Sequence, residues 1–233
     1  MPPTRPSPGP PDPAGVTRTA TFKPPADEWP PVAVSFDLFG TLVAVDRPAD
    51  PAVAVGRELE ALGVALPADW PAAYRTPQVE APDGAEVSLL EHVRAALDGA
   101  SDERTVRRAL LRAFDTEVRT RTGAGRAVAA AAERGPVGVL SNCSVPGLVP
   151  RTLDRSALDP GRFDAVVASV DVGWRKPHRR AFEAVVERLG VPLGDLLHVG
   201  DDPVADGGAT DAGARAVLLA SVPLADLPEH LQG

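Results

Sequence analysis

A single cysteine, Cys143, stands in the 233 residues, so the chain holds no internal disulfide and is not a small scaffold stapled by cross-links. No apolar run approaches the roughly 20 residues that a membrane-spanning helix needs. The first residues have neither the basic start nor the apolar segment of a signal peptide, so a cytoplasmic protein with no membrane partner is expected. An excess of positive charge is also missing: 24 Lys and Arg face 32 Asp and Glu, a net charge of −8. The basic residues are scattered along the sequence, which argues against a nucleic-acid partner. Lysine is nearly absent, two residues against 22 arginines. Aromatic residues make up 4% of the chain, with one tyrosine, Tyr74.

Proline is plentiful but uneven. Residues 1–31 hold 11 of the 26 prolines and read as a flexible tail. The rest is long and apolar enough, at 44% hydrophobic overall, for one α/β core with a modest insertion. Within it, short β-branched runs each end in a polar cluster. The first is Pro31-Val-Ala-Val-Ser35, followed by Phe36-Asp37-Leu38-Phe39-Gly40-Thr41-Leu42. Such an unalternating run suits a central parallel strand, and the carboxyl end of such a strand is where open α/β sheets bind ligands. Asp37 there is a candidate nucleophile, although an Asp before Gly-Thr serves equally well as a turn or helix cap.

Three further segments follow in order. Pro136-Val-Gly-Val-Leu140 leads into Ser141-Asn142-Cys143-Ser144, a hydroxyl and a set of backbone amides at a strand end, suited to an anion. Gly173-Trp-Arg-Lys-Pro177 places Lys176 before a proline that belongs at the first position of a helix running to Leu189. Leu196-Leu-His-Val-Gly200 delivers Asp201, Asp202 and, a helical turn on, Asp206, carboxylates that suit a hard cation.

The order and spacing of these segments resemble the haloacid dehalogenase-like hydrolase superfamily over roughly residues 32 to 220. The resemblance implies a doubly wound parallel α/β sheet with an inserted α-helical cap. It also implies Asp37 as nucleophile, Ser141 and Lys176 as catalytic phosphate ligands, and Asn142 beside them. Mg²⁺ would be held by Asp37, Asp201, Asp206, the Phe39 backbone carbonyl and, as a further contributor, Asp202; Thr41 would shape the nucleophile turn beside the substrate. The implied substrate is a small phosphorylated metabolite, and the protein a monomer or homodimer.

Phe39 departs from the family's phosphatases, which carry at that position a second Asp to protonate the leaving oxygen. Loss of general acid–base help costs about 10²–10⁴ in rate. The dehalogenase branch has an aromatic residue there and reads Leu-Ser-Asn in its second motif, as Leu140-Ser141-Asn142 does, so carbon–halogen hydrolysis without metal is the rival. A phospholigand-binding protein without turnover is a third reading. The clustered acids favour the phosphatase, because buried carboxylates without a counter-charge are costly. A phosphonate-cleaving lysine is excluded: Lys23 lies in the tail and Lys176 is already assigned.

The hydrophobic spacing predicts helices over 52–62, 87–97 and 105–118, which would form a cap over residues 47–120. The core would comprise 32–46 and 121–233, with a helix over 124–134 leading to the Ser141 strand. In the cap, Tyr74 and Arg75 are candidates for binding an anionic substrate, weighed against plain helix-surface packing. His92 and His178 are candidates for the missing acid, weighed against simple solvation. Cys143 reads as a small filler.

Overall fold

A computed structural model describes residues 33–232. The proline-rich tail over 1–31 lies outside the described residues. The chain runs through β1 (Ala33–Phe36) and β2 (Val43–Val45) into four helices, α1 (Pro51–Ala61), α2 (Trp70–Arg75), α3 (Leu89–Ala96) and α4 (Glu103–Ala113). It returns through β3 (Val118–Thr120) and α5 (Ala124–Ala132) to β4 (Val137–Ser141), α6 (Leu148–Arg155) and β5 (Ala165–Ala168). The last part holds α7 (Ser169–Val172), α8 (Arg179–Leu189), β6 (Leu196–Gly200), α9 (Ala209–Ala212), β7 (Arg215–Leu218) and α10 (Leu227–Gln232).

Five strands form one parallel sheet in the order β5-β4-β1-β6-β7. β1 sits at its centre because its residues are buried on both faces, as a short β-branched run requires. Side chains alternate between two layers. Val34, Phe36, Val137, Val139, Leu197 and Val199 join one apolar cluster, which includes Ala124, Ala127 and Val128 of α5 and Leu227 of α10. Ala33, Leu140 and Leu196 point the other way and pack with Phe182, Val185 and Leu189 of α8. Ser35 and His198 lie in register on adjacent strands and are fully buried.

The four helices between β2 and β3 form an insertion whose ends are tied together, because β2 and β3 pair antiparallel from Val43↔Thr120 to Val45↔Val118. Asp50, Asp69 and Asp102 cap α1, α2 and α4 by accepting from backbone amides. Trp70 stitches α2 to α1: its Nε1 donates to the Ala52 carbonyl at 2.8 Å, and a Cβ on Gly56 would lie 2.7 Å from that nitrogen.

Several sequence expectations need correction here. The predicted helix over 105–118 stops at Ala113, because Val118–Thr120 gains more by pairing with β2. Pro177 does not open a helix; its peptide bond with Lys176 is cis, and α8 begins at Arg179 with His178 as its cap. Not every basic residue stands apart: Arg104, Arg107, Arg108 and Arg112 of α4 line one groove with Arg151, where Glu103 pairs with Arg107 and Asp115 with Arg151. No helix among the described residues is long and apolar enough to cross a membrane.

Candidate active site

β1 fixes Asp37 by one more rung of the ladder: its amide donates to the Val199 carbonyl on β6 at 2.9 Å. The chain then turns sharply, with the Leu42 and Val43 amides donating to the Leu38 carbonyl. Gly40 has φ +99°, and a Cβ there would lie 2.5 Å from Asp201 Oδ2, so this turn needs glycine. Arg121 donates to the Gly40 carbonyl from beyond β3.

The ends of β4 and β6 and the loop before α8 bring four more side chains to Asp37. Ser141 Oγ donates to Asp37 Oδ1 at 3.2 Å, and Lys176 Nζ donates to the same oxygen at 2.9 Å. Lys176 also donates to Asp206 Oδ1 at 2.6 Å. Asp201 receives a hydrogen bond from the Thr41 hydroxyl at 2.9 Å. Asp37, Asp201 and Asp206 each offer an oxygen within 4.8 Å of the others. An all-oxygen set of this kind fits a hard divalent cation such as Mg²⁺, and three carboxylates against one buried ammonium leave negative charge for it to balance.

Burial raises the Asp37 pKa above the usual carboxylate value, Lys176 opposes this, and Asp206 and Asp201 add to the rise. For Asp206 burial also acts upward, but the His198 hydrogen bond and the Lys176 charge outweigh it and hold the carboxyl ionised. His198 is pushed down to about 4, chiefly by burial and then by the neighbouring ammonium, so its ring is neutral.

Other expected site residues are engaged elsewhere. Asp202 Oδ1 accepts from the Val204 and Ala205 amides at 2.7 and 2.9 Å, so this carboxylate closes a turn and lies outside the acidic cluster. The Asn142 amide clasps the Lys176 backbone, donating to its carbonyl at 2.9 Å and accepting from its amide at 2.8 Å. Thr41 is fully buried and serves Asp201. Tyr74 packs against Trp70 and His92, and Arg75 pairs with Asp50 at 2.6 Å in solvent; neither lines the cavity in front of Asp37. His92 is spent on the Tyr74 carbonyl, and His178 stacks on Trp174.

That cavity measures about 550 Å³. Its apolar wall includes Phe39, Val45, Phe114, Val145 and Leu148, and Arg47 and Arg175 also line it. A loop of the insertion is strapped across the polar strand ends. The Glu86 amide donates to the Gly173 carbonyl and the Arg175 amide to the Gly84 carbonyl, both at 3.0 Å, and the Leu89 amide donates to the Ser144 carbonyl at 2.8 Å. Ser169 Oγ donates to Glu86 Oε2 at 2.6 Å and accepts from the Cys143 amide at 2.8 Å, so that amide is not open to an anion.

His198, Ser35, Glu86 and Ser169 escaped the sequence reading. A polar residue inside each of two otherwise apolar strands was the available signal for the first pair; nothing in the sequence pointed to the second.

Comparison with known proteins agrees with this fold. No curated protein sequence is significantly similar to the chain. Among solved structures, a predicted phosphoglycolate phosphatase from Haemophilus somnus is 19% identical, with 87% of this chain and 98% of that one covered and a TM-score of 0.54. A 2-haloacid dehalogenase from Pseudomonas syringae pv. Tomato is 20% identical over 86% of this chain and 97% of its own, at a TM-score of 0.55. The L-2-haloacid dehalogenase from Xanthobacter autotrophicus, solved with chloropropionic acid covalently bound, is 22% identical over 86% of each chain, at 0.51. These likenesses show a shared fold. The model of the haloacid dehalogenase-like hydrolases matches residues 32–213, which takes in β1 to β6, the insertion and all the strand ends that carry the site, and the chain belongs to that hydrolase family.

Proposed function

We propose that the chain is a Mg²⁺-dependent phosphohydrolase acting on a small phosphorylated metabolite through an aspartyl-phosphate. The observation that carries this reading is the charge of the site floor: Asp37, Asp201 and Asp206 within 4.8 Å of one another, with the buried ammonium of Lys176 beside them. Displacement of halide from carbon needs no such surplus of carboxylates. Asp37, Asp201 and the Phe39 carbonyl would hold the cation, with Asp206 in support, and the bound cation would offset phosphoryl charge.

Asp37 attacks phosphorus in line, forming an oxygen–phosphorus bond as the ester oxygen leaves. Ser141 and Lys176 hold the phosphoryl oxygens, and water then cleaves the acyl phosphate to regenerate the carboxylate. Catalysis of this kind is mainly positioning and electrostatic stabilisation. The insertion between β2 and β3 acts as a helical cap over residues 47–120 that selects the substrate.

Phosphate release from an aryl phosphate, with and without Mg²⁺, tests the reading. Release should require Mg²⁺ and vanish in Asp37→Asn, while simple alkyl phosphates lag by about 10²-fold or more because Phe39 supplies no proton. The second reading, hydrolysis of a 2-haloacid, draws on Phe39 and the apolar wall. Halide release without metal would establish it instead. Silence in both assays would favour a phospholigand-binding protein.

A further inference from the structure

Beneath the site, Ser35, His198, Lys176, Asp206 and Asp37 form one buried chain of contacts on the face of the sheet covered by α8. Ser35 Oγ lies 2.8 Å from His198 Nδ1, and His198 Nε2 lies 3.0 Å from Asp206 Oδ1 and 3.3 Å from Lys176 Nζ. The edge of the ring abuts Phe182. Gly200, two residues on, leaves room for the acid: a Cβ there would lie 2.0 Å from Asp206 Cγ.

A neutral imidazole has one donor and one acceptor nitrogen. The carboxylate at Nε2 can only accept, so Nε2 carries the hydrogen; Nδ1 is then the acceptor, and the Ser35 hydroxyl is the group that donates to it. This leaves Nε2 unable to accept from Lys176, although the ammonium lies 3.3 Å away. Two ammonium hydrogens go to Asp37 and Asp206. Asp206 is held from three directions: by Lys176, by the ring, and by the Asp202 amide at 2.9 Å on Oδ2.

We infer that His198, its tautomer set by Asp206 and its ring held by Ser35, is a positioning residue: it fixes Asp206 and so presents the third ammonium hydrogen of Lys176 to an incoming anion. The nature of that anion rests on the phosphohydrolase reading; the arrangement of Lys176 does not. An apolar residue in place of His198 would leave the ammonium drawn fully between two carboxylates, with nothing to set its rotation.

Two lysines in the chain make a direct test possible. Full-length protein labelled only in lysine gives two ammonium signals by NMR, and Lys176→Met identifies the one from Lys176. In the wild type that signal should be well separated and protected from exchange with water. In His198→Leu it should shift, and exchange should quicken about tenfold, the scale of one net hydrogen bond. His198→Gln, whose amide still donates, should restore most of the protection. Ser35→Ala should shift the signal in the same direction by less, and it secures the test should the leucine variant misfold. On an aryl phosphate, kcat should fall about 10–100-fold in His198→Leu and recover in His198→Gln, with thermal stability reported for each. A Lys176 signal that is unchanged in both His198→Leu and Ser35→Ala overturns the inference, as does a glutamine variant that behaves like leucine. Failure of the wild type to release phosphate would overturn the phosphohydrolase reading alone, and the lysine signal would still decide this one.

Discussion

Cys143 sits beside the nucleophile pocket and is buried, with its thiol donating to the Val145 carbonyl at 3.6 Å. Burial pushes the thiol up to about 11 from an ordinary 9.0. A group that ionises later in the folded state than in the unfolded one favours folding below the unfolded value. That contribution fades as pH rises from about 9 to about 11, by up to about 3 kcal/mol. Urea titrations should therefore show a falling midpoint across this window, and Cys143→Ala should flatten the fall. Native protein at pH 8 should also resist thiol reagents. Single residues were legible where chemistry and strand position coincide: Asp37, Ser141, Lys176, Asp201 and Asp206 do meet. Tyr74 and Arg75 pack at the surface of the insertion, the alternative weighed against substrate binding, because sequence spacing reveals the apolar side of a helix, not which polar flank meets a cavity. Asp202 follows Asp201 directly, yet its carboxylate closes the next turn instead of joining the acids.

At the scale of elements, the strap formed by residues 84–89 decides how the insertion can move. The β2–β3 ribbon alone would be a hinge; the strap adds a second attachment on loops that carry Asn142 and Lys176. Ser169→Ala removes the hydroxyl that joins Glu86 to the Cys143 amide. We expect exchange of the Glu86, Leu89 and Arg175 amides to quicken about tenfold, as one hydrogen bond's worth of local stability is lost, while β1 and β6 stay protected. Uniform exchange across the chain would instead mean that Ser169 supports the whole fold. Three of the four helices of the insertion, α1, α3 and α4, were readable from their spacing; the six-residue α2 was not, and neither was the strap. Its bonds run through backbone atoms of Gly84, Glu86, Gly173 and Arg175, and backbone pairing between distant loops leaves no mark on residue type. The three-residue strands β2 and β3 were hidden for the same reason, being too short for any alternation to show.

The whole molecule places its earliest described strand at the centre of its sheet. β1 is flanked by β4, which starts at Val137, and by β6, which starts at Leu196. During synthesis, then, the nucleophile strand leaves the ribosome with neither neighbour made. Its first partner follows about 100 residues later and its second about 60 residues after that. At 5–20 residues per second the wait is roughly ten seconds, during which an apolar strand has both edges open. The helical insertion, with its local contacts, can form in the meantime. Chains stalled short of residue 196 should accordingly be cut readily by protease near Phe36, and chains extended past Leu218 should not. A second consequence concerns cells: the most aggregation-prone interval in the life of this protein precedes the appearance of Asp201 and Asp206, so a chaperone that shields it would bind a chain whose acidic half-site does not yet exist.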